Sequence, residues 1–434
     1  MNTARVSQLA RLPLSERIFA VCALSYASTA FIRLLMSEEQ YSAAGEEILG
    51  SPVKRVAWPL IYILAAYFLA RFGKLNLKTV LSVPLLAVLL CYIALSIFWS
   101  GSIFVSIISV VALVGNTLVG LYFGVRYRGA EFLRLLGWVY AIIIFGTLFA
   151  RIAIGNAALV DGFWAGFFTQ RNALGMNAAI GLLVFAMLAR NREKGWWSWL
   201  ALASLSATLV LLSGSGTSIL ALFLVGCGYI WYALLKKHTR STTSRSVLSI
   251  AVMLCFLFAL VSGWDTVLSA FGKRPDLTGR TEIWGASLLM AQDKPLFGYG
   301  YGGFWVYGGP AQVIWDGLGG GDPSNLSYAH NGYLQILLDT GIIGLALLLA
   351  LVAFAFRKAW AYAEATKDVW PLCFFAFMAL DNLGEGTYAE RNSLCWLLFV
   401  AMLVQMVRAL QVDGVGAVNV SLRGARVLSA SAES

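Results

Sequence analysis

An arginine and a histidine, Arg280 and His330, are the strongest candidates for chemistry in this chain. Arg280 follows Thr278 in the run DLTGRTEIW, where Thr278 is a predicted helix N-cap and Arg280 falls in the first turn. The free N–H groups of a helix start, together with a guanidinium, favour binding of a phosphate-type anion. An ordinary capped surface helix with a solvated arginine is the alternative interpretation.

His330 stands at the start of a predicted helix in the run AHNGYLQILLDTGIIG. Asn331 is a natural N-cap, and Asn331, Gln335 and Asp339 recur every fourth residue, so they share one helix face. Polar groups inside a membrane usually face a cavity or a partner. A histidine can take or give a proton near neutral pH, which suits activation of a hydroxyl. The alternative is an interfacial histidine that lies beside a helix cap.

Two further groups of charged residues lie at predicted span ends. Arg171 and Asn172 are at the outer mouth of the sixth span, where a second anion contact or a membrane-anchoring arginine is expected. Asp381 and Glu385 share a helix face at the outer end of the eleventh span, and Arg391 follows closely. This second pattern predicts a structural ion pair.

Other motifs do not indicate a site by themselves. The serine-rich turn at 213–217 has no base near it in sequence to activate a nucleophile. The run GYGYGG (298–303) fits a dinucleotide fingerprint but lacks the strand–turn–helix context. Each of the six cysteines lies alone in its own apolar run, so neither a disulfide framework nor a metal site is predicted.

The elements that position these residues are membrane-spanning helices. Of the 434 residues, 59% are hydrophobic and 12% charged, and the mean hydropathy is +0.75. The apolar runs are about twenty residues long, as a helix needs to cross a bilayer, and lipid cannot satisfy a bare backbone. The sequence therefore predicts an all-α polytopic protein. We expect about twelve spans, namely 18–35, 56–72, 80–99, 104–125, 135–150, 172–189, 196–212, 217–235, 247–268, 333–356, 370–384 and 394–410.

The charge distribution predicts how these spans are oriented. Most of the 32 basic residues fall in segments on one side of the membrane, which the positive-inside rule makes cytoplasmic. Both termini are expected in the cytoplasm, with 411–434 as a cytoplasmic tail. The net charge of +10 follows this pattern, so no nucleic-acid partner is predicted. The first apolar run lacks a small-residue cleavage site and is expected to remain as a helix.

One long loop interrupts an otherwise compact arrangement. We interpret 1–434 as a single integral membrane domain, with 269–332 as a large periplasmic loop between spans nine and ten. Its glycine and aromatic content indicates a functional loop. Within it, 280–292 is predicted to form an amphipathic helix along the membrane surface.

These motifs resemble the O-antigen ligase/polymerase superfamily of bacterial membrane glycosyltransferases. The segments that carry the resemblance follow one another in the order and spacing of the family, and all of them are predicted on the external side. They are FFTQRNALG (167–175), LSGSGTS (212–218), LTGRTEIW (277–284), PLFGYGYGGFW (295–305), and His330-Asn331 followed by Gly341 and Gly344. The family pattern often has an arginine in the serine-rich turn, where this chain has Gly216. The amino-acid sequence of 277–305 is most similar to that of rhizobial exopolysaccharide-production polymerases of the succinoglycan type.

The resemblance implies a donor made of undecaprenyl diphosphate bearing an oligosaccharide repeat, presented at the periplasmic face of the inner membrane. Arg280 and Arg171 are then expected to hold the diphosphate, and His330 to activate or orient the acceptor hydroxyl. Asn331 and Glu282 are supporting candidates. No acidic ligand cluster is evident on the external side, so the predicted enzyme needs neither metal nor cofactor, and arginines stabilise the leaving group.

The aromatic residues Trp305, Tyr307 and Trp315 of the loop are predicted to stack on sugar rings. Chain-length regulators and export proteins are further expected partners. One alternative is a ligase that transfers the glycan to lipid A-core. The other is a polysaccharide transporter or flippase, a class that often has repeated halves and helices broken near the midplane. The sequence indicates neither feature, and its polar candidates collect at one face of the membrane.

Overall fold

The computed structural model describes residues 12–35, 52–72, 82–192, 195–238, 280–318, 326 and 328–411. The predicted span 247–268, the predicted cap Thr278, and residues 412–434 of the tail lie outside these ranges. Helices dominate the described part. They are α1 Leu14–Ala27, α2 Pro52–Phe72, α3 Pro84–Leu95, α4 Ile103–Arg126, α5 Gly129–Ala153, α6 Arg171–Arg190, α7 Trp196–Leu212, α8 Gly216–His238, α9 Arg280–Asp293, α10 Gln312–Leu318, α11 Gly332–Thr366, α12 Trp370–Asp381 and α13 Leu394–Gln411.

Each of the other predicted spans overlaps a helix of the described part, although the bounds differ. Seven helices are long and apolar enough to cross a membrane, and they are α2, α4, α5, α6, α8, α11 and α13. Three shorter apolar helices accompany them, at Pro84–Trp99, Trp196–Leu212 and Trp370–Asp381. The chain is therefore an all-α, multi-pass membrane protein, as its composition predicts.

The first predicted span is not one continuous helix. The α-helix ends at Ala27, and a 3₁₀ turn follows at Ile32–Leu35. The Ser28 hydroxyl donates to the carbonyl of Ser25 at 2.6 Å and accepts from the Ala30 N–H at 3.2 Å. Such local side-chain bonds compete with the helical ladder, and here they accompany its end.

The last described helix, α13, is the most deeply buried span. Gly120 and Gly124 of α4 face it, and a Cβ built on either would lie 2.8 or 2.7 Å from the Cβ of Val400 or Val404. The spacing Gly-x-x-x-Gly lets two helix backbones approach closely, which is how spans associate in lipid. Close packing of α4 and α13 thus depends on the absence of side chains at these two positions.

Helix α11 is broken, contrary to the expectation that no span is interrupted. Gly341 has φ 66° and ψ −170°, far from helical values. The segment that precedes α10 fills the break: the Tyr299 N–H donates to the Leu338 carbonyl at 2.8 Å, and the Ile342 N–H donates to the Pro295 carbonyl at 2.8 Å. Irregular backbone at this depth is tolerated because protein groups satisfy it.

A second hydrophobic cluster surrounds the first turns of α11. Phe304, Ile314 and Trp315 form its centre with Leu338, and Trp284 of α9 packs against it. Residues 280–318 therefore cover the polar start of α11 with ordered structure. Helix α9 confirms that 280–292 is helical, but its apolar residues do not form the single face of the predicted amphipathic helix. Its apolar side chains are divided between this cluster and the surface, where Leu288 and Leu289 are exposed.

Candidate active site

Arg280 lies at one end of the helix bundle, where α6, α8 and α11 begin and α12 ends. Its guanidinium Nη2 donates to Oε1 of Glu385 at 2.8 Å, and its Nη1 donates to Oγ1 of Thr217 at 3.1 Å. A Cβ on Gly384 would lie 2.8 Å from Nη1, so only glycine leaves room for this arrangement. Three segments far apart in sequence thus meet at one arginine.

The carboxylate of Glu385 is the centre of this cluster. Its Oε1 also accepts from Nδ2 of Asn172 at 2.9 Å, and its Oε2 accepts from the hydroxyl of Tyr328 at 2.9 Å. Burial raises the pKa of Glu385, and the charge of Arg280 with these hydrogen bonds acts in the opposite direction. A buried carboxylate with three donors and one full counter-charge is well compensated.

Arg280 keeps binding capacity beyond these contacts. A guanidinium carries five N–H groups, of which two are used here. The others make no hydrogen bond with a described residue, and the side chain is 16% exposed. The group can therefore donate to an incoming anion while Glu385 holds it in place.

His330 is in the same cluster through Tyr328. The two rings are 4.0 Å apart between centroids, at an interplanar angle of 40°. Burial, together with the positive charge of Arg280, lowers the pKa of His330 to about 4. Nδ1 is buried and has no hydrogen-bond partner among the described residues. The imidazole is therefore neutral at physiological pH and has an unused polar atom. Its backbone has φ 48°, an uncommon value for a residue other than glycine.

Asn331 is the N-cap of α11, as its sequence position predicts. Its side-chain oxygen accepts from the N–H groups of Tyr333 and Leu334 at 3.0 and 3.1 Å, and its Nδ2 donates to the Leu383 carbonyl at 3.3 Å. This cap fixes the backbone that carries His330.

Arg171 begins α6, and its guanidinium points away from Glu385. It lies 4.6 Å from the ring centroid of Phe163, with Nε 3.7 Å from Asp161 Oδ2 and Nη1 3.5 Å from the Gly214 carbonyl. Phe163 and Asp161 belong to a small antiparallel hairpin of strands β1 Leu159–Val160 and β2 Phe163–Trp164. The structure therefore joins Arg171 to the Arg280 cluster through its neighbour Asn172.

The serine-rich turn contacts both arginines, Arg171 through the Gly214 carbonyl and Arg280 through the Thr217 hydroxyl. Ser218 donates to Oδ1 of Asp381 at 3.0 Å, and the hydroxyls of Ser215 and Ser218 are 3.2 Å apart. A Cβ on Gly175 would lie 2.8 Å from Oγ of Ser213, so α6 can approach the turn only at a glycine. This contact accounts for the glycine that ends the FFTQRNALG motif.

The predicted ion pair near the end of α12 has different partners. Glu385 pairs with Arg280, whereas Arg391 donates to the hydroxyl of Ser109. Asp381 bonds Ser218 instead of an arginine. Sequence spacing identified the acidic pair, but its partners lie on helices that spacing cannot relate. Two acidic residues four positions apart at a span end were the only signal for Glu385.

The other predicted contacts are spread over the loop. Glu282 is exposed on α9 and forms no hydrogen bond or ion pair with a described residue. Trp305 donates from Nε1 to Gln335 Oε1 at 2.9 Å, and Tyr307 is 74% exposed. The prediction that Trp315 stacks on a sugar is wrong, because this ring is 2% exposed and packs in the second hydrophobic cluster.

The polar stripe on α11 faces protein and not lipid. Nε2 of Gln335 donates to Oδ2 of Asp339 at 3.1 Å, and Oε1 of Gln335 accepts from Trp305. Asp339 is buried, and its Oδ1 has no hydrogen-bond partner among the residues described. Within the described ranges, no three His, Cys, Asp or Glu side chains are grouped so that they can hold a metal ion.

Comparison with known proteins relates this arrangement to a family. Residues 200–349 match the family model described as O-Antigen ligase. The chain is also 31% identical over 223 residues to an exopolysaccharide production protein, ExoQ, of Rhizobium meliloti strain 1021. That alignment covers 49% of this chain and 49% of the relative, so the match spans about half the relative's length. Both matches confirm the resemblance that the motifs indicate.

Proposed function

We propose that this chain is a glycosyltransferase that polymerises undecaprenyl-diphosphate-linked oligosaccharide repeats into a succinoglycan-like exopolysaccharide. The observation that carries the proposal is the meeting of Arg280, Glu385 and His330 at one end of a multi-pass bundle. A fixed guanidinium can stabilise an anionic leaving group, while a neutral imidazole beside it accepts a proton from a hydroxyl or orients it.

In the proposed reaction the acceptor hydroxyl oxygen attacks the anomeric carbon of the donor sugar. The bond from that carbon to the diphosphate oxygen breaks, and the diphosphate leaves with the electron pair. Arg280 and Arg171 stabilise its charge, a task for which many glycosyltransferases use a metal. His330 takes the proton of the attacking hydroxyl; if it only orients that hydroxyl, the proton passes to the departing diphosphate.

Supporting roles go to residues around this centre. Asn331 positions His330 through the cap of α11, and Glu282 is a further candidate for a polar substrate contact. Trp305 and Tyr307 are candidates for stacking on sugar rings, of which Tyr307 is the more accessible.

The proposed topology places the site in the periplasm. About twelve spans cross the bacterial inner membrane, both termini are cytoplasmic, and 269–332 is the large periplasmic loop of a single domain covering 1–434. Basic residues near the opposite ends of the spans support this orientation. Chain-length regulators and export proteins are proposed partners, and residues 411–434 form a cytoplasmic tail.

A ligase is the second candidate, because residues 200–349 match the O-Antigen ligase model. It uses the same donor and differs in its acceptor, lipid A-core. A transporter or flippase is a third candidate, favoured by the break of α11 at Gly341.

Two experiments distinguish these candidates. In cells that lack the protein, accumulated single repeats indicate a polymerase, whereas long unattached chains beside bare core lipid indicate a ligase. In liposomes, purified protein with lipid-diphosphate-linked repeats from the source cells should lengthen the glycan without added metal. Movement of the lipid across the bilayer without lengthening would favour the transporter.

A further inference from the structure

A surface cleft lies between α6 and α7, at the end of these helices away from Arg280. Helix α6 begins at Arg171, beside the candidate active site, and ends at Arg190. Its length of 20 residues corresponds to about 30 Å at the usual rise of an α-helix. The chain then reverses, and α7 begins at Trp196. The cleft near this reversal is therefore separated from the candidate active site by about the thickness of the hydrocarbon core.

Small side chains leave the cleft open. Its volume is about 470 Å³, within the range of roughly 300–1,000 Å³ that is usual for ligand pockets. Elsewhere the two helices are held together by the stacked rings of Phe185 and Trp199, whose centroids are 6.0 Å apart. The small residues that line the cleft are Ala186, Ala189, Ala203, Ser204 and Ala207.

The walls of the cleft are apolar along most of its length. Leu182 of α6 and Leu200 of α7 line it together with the small residues. The hydroxyl of Ser204 donates to the Leu200 carbonyl of its own helix at 3.1 Å, so it is already satisfied. Helix α6 is long and apolar enough to cross a membrane, and α7 is a shorter apolar helix. A cleft of this composition between such helices suits a hydrocarbon chain.

One end of the cleft is basic and aromatic. Arg190, Arg192 and Trp196 line it there. The guanidinium of Arg192 lies 5.7 Å from the ring centroid of Trp196, and that of Arg190 lies 5.7 Å from the ring centroid of Tyr229 on α8. Tryptophan and tyrosine collect at the level of the lipid headgroups, where their rings meet both water and hydrocarbon. The two arginines are therefore expected at the level of the lipid phosphates.

Both guanidiniums keep their donors for a ligand. Neither forms a hydrogen bond or an ion pair with a residue that the structure describes. Burial raises the pKa of Asp368 and the charge of Arg190 lowers it, but the two side chains form no ion pair. In sequence, the segment RNREKG (190–195) has three basic residues and one acidic residue. Guanidinium groups bind phosphate oxygens through paired hydrogen bonds, so this end suits an anionic headgroup.

We propose that the cleft between α6 and α7 binds an anionic phospholipid of the leaflet opposite the candidate active site. Arg190 and Arg192 hold its phosphate, and one of its acyl chains lies along the apolar walls. Basic pockets between membrane helices bind anionic lipid headgroups in this way. A zwitterionic lipid carries an additional cation that two arginines repel. The site is also distinct from that of the lipid-linked donor, whose diphosphate is assigned to the Arg280 end. The inference does not depend on the proposed glycan transfer.

The test titrates the full-length protein in detergent with phosphatidylglycerol and counts bound lipid by native mass spectrometry. Phosphatidylcholine with the same acyl chains and undecaprenyl phosphate are titrated in parallel. In the double variant Arg190→Gln, Arg192→Gln, the affinity for phosphatidylglycerol should fall at least about tenfold, because each arginine near a lipid phosphate contributes roughly fivefold. The affinity for undecaprenyl phosphate should stay the same.

The matched control for charge is Arg357→Gln, Lys358→Gln on α11. These two cations lie 5.7 and 5.4 Å from the ring centroid of Phe354 and do not line the cleft. This control should bind phosphatidylglycerol as the wild type does. Equal losses in the two double variants would reduce the effect to net charge and overturn the site.

The apolar part of the cleft is tested separately. Ala186→Leu fills the cleft without changing a charge and should weaken phosphatidylglycerol binding severalfold. Ala201→Leu is its control, because Ala201 is exposed on α7 and does not line the cleft. Thermal unfolding without added lipid checks that each variant is folded.

Three results would overturn the proposal. The first is an unchanged affinity for phosphatidylglycerol in the Arg190, Arg192 double variant or in Ala186→Leu. The second is equal affinity of the wild type for phosphatidylcholine and phosphatidylglycerol. The third is a double variant that loses undecaprenyl phosphate and keeps phosphatidylglycerol, which would assign the cleft to the lipid carrier. Absence of glycan transfer in the wild type would contradict the proposed function alone.

Discussion

Arg280 and Glu385 lie 105 positions apart in the chain and meet at 2.8 Å. The pair is mostly buried, and Glu385 also accepts hydrogen bonds from Asn172 and Tyr328. Its geometry makes the guanidinium a fixed donor for an anion, and removal of either residue alone leaves the other charge buried without its partner. Variants must therefore separate catalysis from stability.

Arg280→Ala should lower glycan transfer by at least about 10²-fold, because the leaving diphosphate loses a fixed donor. It should also destabilise the protein by about 3–5 kcal/mol, since Glu385 is left buried without its counter-charge. Transfer is measured by product length in liposomes, and stability by thermal unfolding in detergent.

The double variant Arg280→Gln, Glu385→Gln separates the two effects. It removes both charges and keeps hydrogen-bonding groups, so the melting temperature should recover towards wild type while transfer stays absent. Full activity in this double variant would contradict a role of Arg280 in holding the diphosphate.

His330→Gln should abolish transfer and alter the pH dependence of stability. The folded pKa of His330 is about 4, below its ordinary value of 6.5. Between these values the unfolded chain binds more protons, so this contribution is complete above pH 6.5 and is lost as pH falls towards 4. The wild-type melting temperature should therefore fall more steeply than that of His330→Gln over this range. Parallel curves would show that the histidine is not desolvated.

Gly298→Ala should destabilise the protein through the break in α11. A Cβ there would lie 2.6 Å from the Gly341 nitrogen, and the residue has φ 66°. Gly308→Ala is the matched control, because Gly308 has φ 68° and nothing within 4 Å of its Cβ position. The control should show only the left-handed penalty of about 1–2 kcal/mol. Equal melting temperatures for the two variants would mean that the close approach does not matter.

Gly120→Ala and Gly124→Ala should each separate α4 from α13. Overpacking of this kind costs about 1–3 kcal/mol. Gly226→Ala on α8 is the control, since its Cβ would meet nothing within 4 Å and alanine is the better helix former. Thermal unfolding of the three variants in one detergent decides the comparison; loss of stability in Gly226→Ala alone would contradict it.

Much of the fold follows from local features of the sequence. Apolar runs of span length predict helices without knowledge of their neighbours, and the cap at Asn331 lies where its residue type indicates. The break at Gly341 could not be foreseen, because a glycine in a span is compatible with an intact helix and only the inserted backbone of 295–299 identifies the interruption. The burial of Trp315 could not be foreseen either, because the residues that pack around it come from other parts of the chain.

In the candidate site, too, some features follow from the sequence and others depend on how the helices pack. Arg280, Arg171 and His330 stand out by residue type at predicted span ends. The structure places Arg280 and His330 in one cluster, and Arg171 is connected to it only through its neighbour Asn172. Glu385 was singled out for a structural ion pair, and its actual partners come from α6, α9 and the segment before α11. Such partnerships depend on how helices pack, which residue spacing along one helix does not encode.

The interruption of α11 also bears on how the protein is made. Residues 295–299 complete the backbone hydrogen bonding of α11 at Leu338 and Ile342, and they precede this helix in the chain. During biosynthesis they must reach their position before the two parts of α11 can settle in lipid, because unsatisfied peptide groups are costly there. The segment 295–299 and the two parts of α11 therefore form one hydrogen-bonded unit, and insertion of α11 is expected to depend on that segment being in place.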